Sequence, residues 1–187
     1  MLIGLTGKNA AGKGVAANYL KSKGFLYYSL SDIVREEATK IRLEHSRDNL
    51  INLGNKLRQE FGPNYLAHET DNRIKQQLRK NKNQNFVVDS IRNSFEAREL
   101  MKNKNFVLLG IDAPIELRFE RLLKRDRLGD AKTLKEFKQQ EQRENLKSST
   151  NQQLDATFKM AEKVILNDGS LEKLHEKIDS LLKQIKE

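Results

Sequence analysis

Apolar residues gather in five short runs along the chain: Leu2 to Thr6, Phe25 to Tyr28, Phe86 to Asp89, Phe106 to Ile111 and Val164 to Leu166. Each run is bounded by polar turns, and its continuous or alternating apolar character predicts a short buried strand. Between the runs the apolar positions recur three and four apart. That spacing predicts helices over Val15 to Lys21, Asp32 to Leu43, Leu50 to Phe61, Tyr65 to Arg79, Phe95 to Lys102, Ile115 to Arg125, Lys135 to Leu146 and Leu171 to Ile185. Strand alternating with helix implies an α/β protein in three layers, a five-stranded parallel sheet with helices on both faces.

Two intervals are too long for simple crossovers: about 32–85, between the second and third strands, and about 125–162, between the fourth and fifth. Insertions at one end of a parallel sheet commonly carry substrate-binding and closing elements. The first is read as an acceptor-binding arm (about 32–85) and part of the second as a lid (about 125–150), both within one domain spanning 1–187.

The most specific local signal lies between the first strand and the first helix, where Gly7-Lys8-Asn9-Ala10-Ala11-Gly12-Lys13 is followed by Gly14 and Val15. Strand, glycine-rich turn and helix in that order suit a triphosphate, because the turn's N–H groups and the positive end of the helix converge on it. The glycines permit backbone angles and close phosphate approach, and Lys13 supplies an ammonium for the terminal phosphates. ATP or GTP is the implied ligand. Gly14 and Val15 lack the hydroxyl that many such loops place on magnesium, so the ion would be held through its waters.

At the carboxyl end of the third run, Asp89 is placed to hold magnesium or its waters, or to cap the helix that follows. Arg92, three residues on, reaches the same rim, where its planar fork suits a phosphate. In the lid helix Arg118, Arg121 and Arg125 share one face, and Ile115, Phe119 and Leu122 form an apolar stripe expected to pack on the sheet. The basic face meets phosphates or is merely solvated. Arg127, beside Gly129-Asp130, is expected in the closing loop, where arginines stabilise the charge of a transferring phosphoryl group.

These motifs resemble the nucleoside monophosphate kinase family. Gly12-Lys13-Gly14 is similar to its Gly-Lys-Gly, Ser31-Asp32-Ile33-Val34-Arg35-Glu36-Glu37 to its Gly-Asp-Leu-Leu-Arg-Glu-Glu, and Asp89-Ser90-Ile91-Arg92 to a shortened Asp-Gly-Phe-Pro-Arg. The resemblance implies that Arg35 and Arg92 bind the acceptor's phosphate while Gly7, Gly12, Lys13 and Gly14 bind the donor. The C-terminal half is similar to dephospho-CoA kinase: Val164-Ile165-Leu166-Asn167-Asp168-Gly169-Ser170-Leu171 matches its Val-Ile-x-Asn-x-Gly-x-Leu ending, and Asn151-Gln152-Gln153 its glutamine before the last strand. That likeness puts Asn167 on the nucleotide side and makes Asp32 the base for a ribose hydroxyl. Asp32 otherwise serves a phosphate acceptor beside Arg35, or Ser31 or Asp32 simply caps the helix.

Composition narrows the field further. In 187 residues, 35 Lys and Arg against 26 Asp and Glu leave a net charge of +9, which suits a phosphorylated ligand, a nucleic acid, an acidic membrane or just a solvated exterior. With no cysteine there are no disulfides or thiolate sites, and His45, His68 and His175 have no metal-binding spacing. No apolar run approaches the roughly 20 residues that cross a bilayer, and the N-terminus enters a strand instead of a leader, so a cytoplasmic protein is expected. A GTP switch would carry Asn-Lys-x-Asp, which is missing, and neither aromatic strand motifs nor tryptophans favour nucleic acid. The expectation is a P-loop kinase fold using ATP and magnesium to phosphorylate a small nucleotide-type acceptor, a nucleoside or deoxynucleoside monophosphate before dephospho-CoA.

Overall fold

The computed structural model describes residues 1–126, 129–144 and 152–186. The chain runs β1 (Leu2–Thr6), α1 (Lys13–Ser22), β2 (Leu26–Ser29), α2 (Leu30–Lys40), α3 (Arg47–Phe61), α4 (Tyr65–Lys80), β3 (Phe86–Asp89) and α5 (Ser94–Leu100). It continues through β4 (Phe106–Asp112), α6 (Ile115–Arg125), α7 (Leu134–Glu144), α8 (Leu154–Phe158), β5 (Lys163–Leu166) and α9 (Leu171–Lys186). The five strands form one parallel sheet in the order β2-β3-β1-β4-β5, as the alternation of elements predicted.

Alternate strand residues feed two separate cores, one on each face. Leu2, Phe86, Val88, Phe106 and Leu108 join the side chains of α2 to α5 on one face. Ile3, Leu5, Val87, Leu109 and Ile111 meet α1 and α9 on the other. Central β1 is buried along its whole length, which is why its sequence is apolar without alternation.

Local chemistry explains where several helices begin and end. The Ser46 side chain accepts the Asn49 N–H and starts α3 at Arg47, three residues before the first apolar position that announced it. Chain reversal at Arg42, with φ +55°, ends α2 near Lys40, short of the expected Leu43. Asn93 and Glu96 form a reciprocal capping box for α5, which leaves Asp89 out of that role.

Two details differ from expectation. The short α8 went unpredicted, because five residues in a polar stretch carry too little periodicity to register. The α6 stripe does not pack on the sheet: Leu122, with Ile115 and Phe119 beside it, meets Phe137 and Leu134 of α7 and Ala10 of the glycine loop. It thus fastens α6 and α7 to one another and to the loop.

Candidate active site

Strand β1 carries the chain to the middle of the sheet, between β3 and β4, and the glycine loop turns there into α1. Gly7 (φ +140°), Ala10 (φ +59°) and Gly12 (φ +107°) set that turn. The space is as restrictive as the angles, since a Cβ on Gly7 would overlap the Ile111 carbonyl oxygen and one on Gly12 would overlap the Asn167 amide. Lys13 opens α1, and its Nζ donates to the carbonyls of Gly7 (2.7 Å) and Lys8 (2.8 Å), so the ammonium curls over the loop's own backbone. Beside it Gly14 faces open space, with no described heavy atom within 4 Å of a Cβ built there.

A cavity of about 940 Å³ opens above this loop. Asn9, Ala10, Gly12, Lys13, Gly14 and Val15 form its loop side. Arg121 and Arg125 come from α6, Ser31 and Arg35 from α2, and Asp89 and Arg92 from the end of β3. Gly7, Lys8, Ala11 and Asn167 support the loop from outside that wall. Asn167 Nδ2 donates to the Ala11 carbonyl at 2.9 Å, and the Asn167 N–H reaches Asp112 at 2.7 Å, tying the end of β5 to the loop. The Lys8 ammonium lies 4.0 Å from Asp155 of α8.

Asp89 is buried at the rim, where Oδ1 accepts the Ser90 N–H at 2.6 Å and Ser90 takes a positive φ of 65°. Burial, reinforced by the charge of Asp89, pushes the nearby Tyr27 hydroxyl above its ordinary pKa. Asp32 is not among the residues that line the cavity. Ser29 caps α2, and Asp32 stands in its first turn, half exposed and 2.8 Å from the cavity-lining Arg35. Ser31 and Arg35 are the α2 polar residues that line the cavity among those described.

The arginines of α6 divide. Arg118 is not on a free basic face: it is 2% exposed, pairs with Glu141 of α7, and donates to the carbonyls of Ala113 (3.0 Å) and Asn9 (3.3 Å). Arg121 donates to the Asn167 carbonyl at 3.0 Å, and burial pulls its pKa below the usual arginine range against the opposing charge of Glu120. Its Nη1 and the Asn9 Nδ2 are buried without a hydrogen-bond partner among the described residues. Arg125 reaches Asn9 Oδ1 at 3.0 Å and both Asp130 oxygens at 2.8 and 2.9 Å. Asp130 also stands 3.7 Å from Arg47 at the start of α3, so one buried carboxylate joins the segment after α6 to α3. Arg127 lies outside the described residues.

Arg47, Arg58, His45 and Gln152 also line the cavity, although sequence reading singled out none of them for it. Gln152 stood inside a quoted motif and Arg58 follows the apolar Leu57, but no local spacing marked either as facing a ligand. His68 lies 3.6 Å from Glu99 and His175 stacks on Tyr19 with centroids 3.8 Å apart. No helix among the described residues is long and apolar enough to cross a membrane.

A glycine-bracketed lysine at the end of a central parallel strand, opening a helix beneath a large polar cavity, defines a P-loop protein. Consistent with this, residues 3–147 match the AAA domain family. The chain belongs to that family and, within it, to the UPF0200 proteins: it is 32% identical over 188 residues to the UPF0200 protein PYRAB09750 of Pyrococcus abyssi, covering 99% of this chain and 97% of the relative. Among solved structures it is similar in fold to TT1252 from Thermus thermophilus, with TM-score 0.59, 20% identity and coverage of 98% and 97% of the two chains. It is likewise similar to the shikimate kinase of Acinetobacter baumannii in complex with shikimate, with TM-score 0.57, 15% identity and coverage of 98% and 93%. The fold is that of P-loop kinases.

Proposed function

We propose that this chain is a small-molecule kinase that moves the terminal phosphoryl group of ATP to a nucleotide-type acceptor, a nucleoside or deoxynucleoside monophosphate. The observation that carries the reading is the convergence on one cavity of the Lys13 loop, the Asp89 carboxylate, and Arg35 and Arg92 from two other elements. Phosphoryl transfer asks a protein mainly for positioning and countercharge, and those are the groups gathered there.

Lys13 leaves the loop carbonyls for the terminal phosphates of the donor, whose remaining oxygens meet the N–H groups of the loop and of the first turn of α1. One buried carboxylate and a loop without a hydroxyl fit a magnesium ion that keeps several waters, with Asp89 holding it or its waters. When bound, the ion neutralises charge on the phosphates. Arg121 and Arg125 draw onto the donor from the lid side, and Arg127 is the further lid arginine in this reading. Residues 32–85 serve as the acceptor arm and 125–150 as the lid.

Arg35 and Arg92 hold the acceptor's phosphate, and Asp32 acts by steadying Arg35. That pairing favours a phosphate acceptor, which starts as an ionised oxygen and needs positive charge more than a base. Dephospho-CoA is the second reading, supported by the position of Asn167 at the loop. Labelled ATP and magnesium with each nucleoside monophosphate, each deoxy counterpart and dephospho-CoA separates the two. Label on a nucleoside monophosphate supports the first reading; label on dephospho-CoA alone replaces it with the second. No labelled product from any acceptor overturns both.

A further inference from the structure

On the acceptor side one buried carboxylate holds two arginine-bearing elements together. Glu96 is fully buried, and its Oε1 accepts from Arg58 Nε at 2.8 Å, with Arg58 Nη2 also 2.8 Å away. Its Oε2 accepts the backbone N–H groups of Arg92 (3.0 Å) and Asn93 (3.1 Å). The guanidinium of α3 is therefore fixed relative to the backbone that carries Arg92, and both arginines belong to the cavity wall.

Gly54, one turn before Arg58, also lines the cavity. Glycine inside a helix costs stability relative to alanine. Packing does not require it here: a Cβ would meet Arg58 Nη1 at 3.5 Å and the Val34 methyls at 3.6 and 3.9 Å, which is ordinary contact. Arg58 is 4% exposed, and the little of it that is open lies on the cavity side, beside Gly54. Among the described residues, Nη1 otherwise meets the neutral Asn55 side chain, at 3.3 Å.

We propose that Arg58 and Arg92 together grip the anionic group of the acceptor, with Glu96 as the residue that positions both and Gly54 as the opening that keeps Arg58 reachable. The grip rests on reading this cavity as the acceptor site. Its ligand chemistry is an oxyanion, phosphoryl or carboxylate, held between two planar forks.

The test is calorimetric binding to the full chain and its Gly54→Leu, Arg58→Lys and Glu96→Gln variants, with melting temperatures alongside. Probes are the nucleoside monophosphates, dephospho-CoA and inorganic phosphate for the phosphoryl arm, shikimate for the carboxylate arm, and a non-hydrolysable ATP analogue as the donor control. Gly54→Leu stays folded, as its melting transition checks, because the added side chain enters the cavity, and it weakens the tightest anionic probe about tenfold or more. Arg58→Lys and Glu96→Gln weaken the same probe similarly, and all three keep the ATP analogue within about twofold. A folded Gly54→Leu that binds anionic probes like the parent overturns the grip, as does equal loss of the ATP analogue or a parent chain that binds no anionic probe. Binding as expected without any phosphoryl transfer leaves the grip standing and removes the kinase reading.

Discussion

At the scale of single residues the glycine loop separates positions that demand glycine from one that merely has it. Gly7 needs it twice over, for a φ of +140° and for the closeness of the Ile111 carbonyl. Gly7→Ala should therefore cost several kcal/mol and give little folded protein, as read by soluble yield and melting temperature. Gly14 is open, so Gly14→Ser should melt within a few degrees of the parent. It should also bind ATP more tightly with magnesium than without by a wider margin, because the added hydroxyl gives the loop a direct ligand that Gly14 and Val15 lack. The loop could be read from sequence because its chemistry is contiguous. Arg118 could not: its spacing puts it with Arg121 and Arg125, and only the fold brings up Glu141, 23 residues on, to bury its charge.

At the scale of elements the helices between β2 and β3 are held by paired charges, and sequence period alone could place those helices but not dock them. Glu36 of α2 and Arg73 of α4 meet at 2.6 and 2.9 Å, and this contact holds the Glu36 carboxyl below its usual pKa. A carboxylate with a depressed folded pKa releases its proton more readily folded than unfolded, so the unfolded chain takes up more protons as pH falls. Its contribution is complete above the unfolded value of about 4.3 and disappears as pH drops through the lower folded value. Melting curves between about pH 6 and 3 should fall less steeply for Glu36→Gln than for the parent; identical slopes would remove the pair from the account. The strands and long helices were legible because burial imposes a period on them. The inter-helix ties were not, since Arg58 with Glu96 and Arg47 with Asp130 join residues far apart in the chain.

At the scale of the whole molecule, the two sheet faces bury separate cores and leave the carboxyl ends of the strands to gather chemistry from the loop, both insertions and β3. The excess of positive charge fits such a site. In this structure the site's own anions and carbonyls already occupy its cations: the loop carbonyls hold Lys13, Asp130 holds Arg125, Asp32 holds Arg35 and Glu96 holds Arg58. In the proposed function, a bound nucleotide and acceptor would take over part of these contacts. The most direct measurement is transfer of labelled terminal phosphate from ATP by the parent chain and by Lys13→Met, with melting temperatures to confirm that both fold. The parent should label a nucleotide-type acceptor, and the variant should do so at least about a hundredfold more slowly. A folded Lys13→Met that transfers at the parent's rate, or a parent that transfers to no acceptor, would contradict the account.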